Sequence, residues 1–114
     1  MHQPASTFED YVQIMVIESP HALILDWWSR LELAIKEYFE VHGMAVKSST
    51  PSRDQALGAD PMLGLGITAQ IRELRLIRNK VAHEKRKPLS GADAVQYARK
   101  ACELIWVLGR AQSC

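Results

Sequence analysis

Arg78, Asn79 and His83 are the residues whose types and spacing could do chemistry in this chain. They fall within LRLIRNKVAHE, Leu74–Glu84, at the end of a strongly patterned helix. A guanidinium grips a phosphate or a developing anion. An imidazole changes charge near neutrality and can take or give a proton. A side-chain amide can orient either group by hydrogen bonding. From Arg72 to Lys87 there are seven Lys/Arg against Glu73 and Glu84, in a chain of formal net charge +1. That local patch suits phosphate contact, while the overall balance excludes a globally basic nucleic-acid binder.

Helix geometry constrains the set. From Arg78 to His83 an ideal helix turns through roughly 140°, so the two do not share a face of one straight helix. They converge only where the helix bends or ends, or where a second copy supplies the opposite residue. Arg78 also falls at the margin of an apolar stripe, where a charge is costly unless it is paired or lines a polar cleft. The plainer reading is structural. In it Arg78 snorkels or pairs, Asn79 and His83 cap the helix end, and the cations complement its negative terminus.

Other chemistries find less support. His2, His21, His42 and His83 make no pair at helical metal-ligand spacing, and no cysteine pair completes a site, so no metal is expected. LGLG at Leu63–Gly66 lacks the lysine and the strand of a phosphate-binding loop. Ser48, Ser49 and Ser52 have no obvious histidine partner, and Cys102 falls in an apolar helical stretch.

The elements that must position Arg78 and His83 are helical. Ser6 with Glu9 reads as a capping box, opening a short amphipathic helix over Phe8–Ile17 after a flexible lead-in, 1–7. Ser19-Pro20 starts a second helix that stops at Gly43. Its apolar face runs from Leu23 and Ile24 through Trp27 and Trp28 to Tyr38 and Val41, wide enough to serve the core and a partner. Residues 44–66 read as a long irregular connection, with single helical turns near Arg53–Leu57 and Pro61–Leu63. Thr68 reads as the cap of the motif helix, whose stripe is Ile67, Ile71, Leu74, Ile77 and Val81. Ser90 with Asp93 opens a last helix with a small-residue stripe through Ala94, Ala98 and Ala101, and residues 110–114 read as a frayed tail. No period-two alternation or hairpin turn appears. The expected architecture is all-α, a four-helix, mostly antiparallel bundle in a single domain, 1–114.

Composition agrees with one globular domain: 114 residues, 47% hydrophobic and 24% charged. Two cysteines, Cys102 and Cys114, are read as reduced thiols, which makes the cytoplasm the expected location. The N-terminal residues have no signal-peptide pattern, and no apolar run is long enough for a membrane span.

RNKVAHE resembles the signature of the HEPN superfamily (higher eukaryotes and prokaryotes nucleotide-binding domains). Its members are small helical bundles with an Arg, four to six residues, then a His, often with Asn directly after the Arg. The order of long helix, irregular connection, motif helix and final helix is similar too. The Arg-Asn-x-x-Ala-His form also resembles the mannitol-operon repressor group, whose members are longer and regulatory. The HEPN resemblance implies a metal-independent endoribonuclease without cofactor, the toxin or effector of a defence or toxin–antitoxin system. It implies a homodimer in which two Arg…His sets meet in an interfacial cleft. Arg78, Asn79 and His83 would be catalytic, and Lys80, Lys85, Arg86 and Lys87 would attract the RNA. A cognate antitoxin or regulatory protein is a further implied partner. The alternative implied by the same superfamily is a non-catalytic regulator or scaffold working through protein–protein contacts.

Overall fold

The structure is a computed structural model that describes residues 19–43, 50–60, 63, 65–83 and 90–109. These residues form an all-α helical bundle of four helices: α1 (Pro20–Val41), α2 (Thr50–Gly58), α3 (Leu65–His83) and α4 (Gly91–Val107). The expected helix over Phe8–Ile17 lies outside the described residues. None of the helices described is long and apolar enough to cross a membrane.

The ends of α1 follow from its sequence. The Ser19 side chain accepts the Ala22 N–H at 3.1 Å, and Pro20 fills the first position, where its missing N–H is not needed. The chain leaves α1 through Gly43 at a φ of +67°, a left-handed conformation that glycine adopts without a Cβ penalty. Helix α4 opens in the same way, with the Ser90 side chain accepting the Asp93 N–H at 3.1 Å.

The core lies mainly between α1 and α4. Trp27 and Trp28 are both buried in it, so the wide face of α1 is core and leaves no tryptophan surface for a partner. Phe39 is buried, whereas Val41 is exposed at the helix end. On α4, Tyr97 and Leu104 join the expected small-residue stripe. Close packing of Ala94, Ala98 and Ala101 brings the two backbones together, and the large α1 side chains fill the remaining space.

Helices α3 and α4 run antiparallel. Tyr97 meets the Leu74 carbonyl and Lys100 meets Glu73, so numbers rise on one helix as they fall on the other. Helix α3 starts at Leu65, earlier than a Thr68 cap allows. Thr68 sits buried inside it, and its hydroxyl has no hydrogen-bond partner among the described residues. The Ile67–Ile71 periodicity marks the buried face, but it does not set where the helix begins.

The connection expected to be irregular, 44–66, contains α2. This helix has no apolar stripe. It packs against α3 through buried Leu57 and through Asp54, which takes a two-pronged ion pair from Arg75. Hydropathy does not register a helix docked by charge, and that is why the sequence hides it. Two contacts to α1 complete the frame: Arg53 Nη1 lies 3.6 Å from Glu32, and the Tyr38 hydroxyl donates to Asp60.

One expectation about the cysteines is overturned. Cys102 is buried as its stripe implies, but it is disulfide-bonded rather than a free thiol. Disulfides belong to oxidising compartments, and the cysteines no longer argue for a reducing cytosol.

Candidate functional site

The motif sits on the last two turns of α3, which is one continuous helix through His83. Arg78 lies about two turns after Ile71 and therefore on the same face. Ile71 is 0% exposed, so Arg78 emerges toward the interior, and its side chain is half-buried. His83 lies about two turns after Leu76, which is 59% exposed, and His83 is exposed with it. The helix does not bring Arg78 and His83 together, and no bond joins them among the described residues. They occupy different sides of one element, as the 140° step requires.

Asn79 is brought to Arg78. Its side-chain oxygen accepts from Arg78 Nη1 at 3.1 Å. That contact joins neighbours in sequence and orients the guanidinium without neutralising it. The Arg78 Nε is buried with no hydrogen-bond partner, and no carboxylate pairs with Arg78 among the described residues. The Nε atoms of Arg53 and Arg75 are equally without a partner, so what sets Arg78 apart is that its guanidinium meets no carboxylate among the described residues. Lys80 is exposed in the last turn, where it and His83 face the negative end of the helix. Lys85, Arg86 and Lys87 lie outside the described residues.

Three side chains that the sequence reading passed over shape the surroundings. Arg75, one turn before Arg78, donates from Nη1 and Nη2 to the two Asp54 oxygens at 2.9 and 2.7 Å. Its guanidinium carbon lies 5.9 Å from the centre of the Trp28 ring, within cation–π range. Arg72 reaches the same carboxylate only at 4.0 Å and stays largely exposed. Tyr97, buried on α4, donates its hydroxyl to the Leu74 carbonyl at 2.9 Å. Burial pushes the Tyr97 hydroxyl well above the ordinary tyrosine range; the positive charge of Arg78 works against that rise, and Glu32 adds to it.

Two of these had a signal in the sequence. Tyr97 follows Ala94 at i+3 and precedes Ala101 at i+4, so it belongs on the stripe that was assigned to small residues. Arg75 follows Ile71 at i+4, which puts a charge on a core face, and such a charge requires a partner. Asp54 carries no such mark, because nothing in the pattern of 44–66 aims it at α3.

No family model, curated protein or solved structure matches this chain.

Proposed function

We propose that this protein is a metal-independent endoribonuclease of HEPN type whose site is completed by a second copy of the chain. The observation that carries the reading is Arg78, a half-buried guanidinium on the core-facing side of α3, held by Asn79 and paired with no carboxylate among the described residues. A structural arginine in such a place takes an acidic partner, as Arg75 does. Arg78 is instead left to bind a phosphodiester.

His83 projects from another side of α3, so the histidine serving a given Arg78 comes from the partner subunit. One imidazole takes the proton of the RNA 2′-OH, and the 2′ oxygen attacks phosphorus. The phosphorus–5′-oxygen bond breaks, water protonates the leaving oxygen, and the imidazolium returns its proton to solvent. The products are a 2′,3′-cyclic phosphate and a 5′-hydroxyl. Arg78 stabilises the charge that grows on the phosphoryl oxygens. Lys80 draws the strand in, with Lys85, Arg86 and Lys87 extending the charge. DNA, which lacks the 2′-OH, is spared.

The experiment mixes two inactive variants. Arg78→Ala and His83→Ala each lose cleavage of single-stranded RNA in EDTA. Refolded together they regain it, because one of the two shared sites in a mixed dimer holds both side chains. No recovery, with each variant dimeric, rejects the shared site. Cleavage by both single variants at the wild-type rate rejects the roles of Arg78 and His83, and RNA left intact by the wild-type protein rejects the nuclease.

A second reading, a non-catalytic regulator in a toxin–antitoxin or operon-control setting, has its own observation. Trp106 is 57% exposed at the end of α4, a large apolar side chain of the kind that anchors protein contacts. Growth arrest on expression, relieved by His83→Ala, separates the two in favour of the nuclease. Unimpaired growth together with a phenotype from Trp106→Ala favours the regulator.

A further inference from the structure

We propose that Tyr97 is the positioning residue of the Arg78 site: its hydroxyl fixes the turn of α3 that carries Arg78. The proposal rests on the reading of Arg78 as an anion receptor and assigns the residue that sets its direction.

The argument begins with the acceptor. Tyr97 donates to the Leu74 carbonyl, in the interior of α3. By α-helical pairing that carbonyl already accepts the backbone N–H four residues on, which is the N–H of Arg78. It is not one of the orphan carbonyls at a helix end, and the helix does not need the hydroxyl to satisfy it. A phenylalanine would fill the same buried space without needing any partner. The hydroxyl therefore does something other than packing. It ties α4 to the one carbonyl whose orientation is shared with the Arg78 backbone.

The tie matters because little else fixes α3 against α4. Of the helix pairs that pack together, this one touches least. Another polar link between them among the described residues, Lys100 to Glu73 at 3.8 Å, has both side chains more than half exposed and constrains little. Rotation of α3 about its axis would swing Arg78 around the bundle; the Arg75–Asp54 pair resists it from α2, and the Tyr97 bond resists it from α4, at the turn in question. The charge of Arg78 is felt at the Tyr97 hydroxyl, which places the two groups in the same neighbourhood. Asn79 sets the guanidinium from the outside, and Tyr97 sets the backbone from the inside.

The test is a double-mutant cycle read by binding rather than turnover. The probe is a 2′-deoxy-substituted RNA oligonucleotide, which 2′-OH attack cannot cleave, followed by fluorescence anisotropy. Tyr97→Phe removes one oxygen and keeps the ring. It is expected to weaken binding about 3- to 10-fold, the range a single neutral hydrogen bond supports. In an Arg78→Ala background the same change is expected to have no further effect. Equal losses in both backgrounds, or no loss in either, overturn the proposal.

A second readout separates the proposal from the reading beneath it. The Arg78 Nε–H resonance, observed by ¹⁵N NMR without ligand, should shift or broaden in Tyr97→Phe and stay in place in Lys100→Ala. If Arg78→Ala binds the probe like wild type while that resonance still responds to Tyr97→Phe, the positioning link stands and the anion-receptor reading falls. If Arg78→Ala abolishes binding and the resonance ignores Tyr97→Phe, the receptor stands and the positioning role falls.

Discussion

Arg75 and Arg78 stand one turn apart on α3, both drawn toward the interior, and they are used in opposite ways. Arg75 gives both terminal nitrogens to Asp54 and lies against Trp28; the side chains of the pair are 17% and 6% exposed. Arg78 touches only the neutral oxygen of Asn79. The same residue type, on the same helix and at similar depth, is closed in one case and open in the other. Desolvation explains why the difference is informative. A buried cation without a counter-charge is a standing cost, and a fold tolerates it where an external anion supplies the missing partner.

The largest expected effect tests the closed arginine. Asp54→Ala leaves Arg75 buried and uncompensated, and should destabilise the protein by about 3–5 kcal/mol in urea unfolding. Replacing both partners at once, Asp54→Leu with Arg75→Met, should recover much of that loss, because neither buried charge remains. Arg78→Ala removes a cation that has no counter-charge, and should leave stability unchanged or raise it, with no loss beyond about 0.5 kcal/mol. If it destabilises as strongly as Asp54→Ala, the contrast between the two arginines collapses and Arg78 is structural.

The next test reverses the readout. Arg78→Ala is expected to lower RNA cleavage by about 10²–10³-fold, the size of the loss when one stabilising donor is removed from a transition state. Arg78→Lys should recover only part of it, since a point charge does not reproduce the planar fork. Asp54→Asn, where the protein remains folded, should leave the cleavage rate within a few-fold of wild type. An equal loss from Asp54→Asn would mean that the α2–α3 clasp belongs to the site.

The same contrast explains what was legible in the sequence. The stretch from Leu23 to Tyr38 on α1 and the Ala94–Ala101 stripe announce their buried faces by period, because apolar burial writes itself at 3.6-residue spacing. Ser19, Gly43 and Ser90 announce helix ends, because each meets a local stereochemical demand. Arg78 and Asn79 were legible as a candidate pair by their chemistry, and the 140° step to His83 follows from helix geometry alone. Helix α2 was not legible as a docked element. Its attachment rests on one buried leucine, Leu57, and on long-range ion pairs, Asp54 with Arg75 foremost, and no local pattern encodes which carboxylate a distant guanidinium will find. Tyr97 was hidden for a related reason. Its ring fits a stripe, but the meaning of its hydroxyl depends on the Leu74 carbonyl of another helix.

A second carboxylate, Asp60, sharpens the comparison by accepting from a neutral hydroxyl. Tyr38 donates to Asp60, and burial, followed by the bond and charge of Asp60, pushes its hydroxyl up to about 12. The folded pKa lies above the unfolded value near 10, so the folded state holds the proton more tightly. The stabilisation is complete below about pH 10 and is lost as pH rises from there through about 12. It should amount to something on the order of 2 kcal/mol in urea unfolding across that window, and Tyr38→Phe should flatten the slope. A tyrosinate absorbance step near pH 10 assigned to Tyr38 would show that the carboxylate does not hold the hydroxyl.

The smallest effect comes from the exposed counterpart of the Asp54–Arg75 pair. Glu73 and Lys100 also join two helices by charge, at 3.8 Å, but their side chains are 59% and 52% exposed. Water solvates both ions almost as well apart as together, and holding two long side chains in register costs rotamer freedom. Lys100→Ala should therefore change stability by less than about 0.5 kcal/mol, and raising the salt concentration should erase even that. Glu73 lies on the exposed side of α3, while Arg75 is turned toward the interior, so the two pairs differ in burial as well as in length, 3.8 against 2.7 Å. A Lys100→Ala loss as large as that of Asp54→Ala would mean that burial does not decide the worth of an ion pair in this bundle. Burial would then cease to distinguish Arg75 from its neighbours, and the missing carboxylate at Arg78 would lose its meaning as the mark of a binding site.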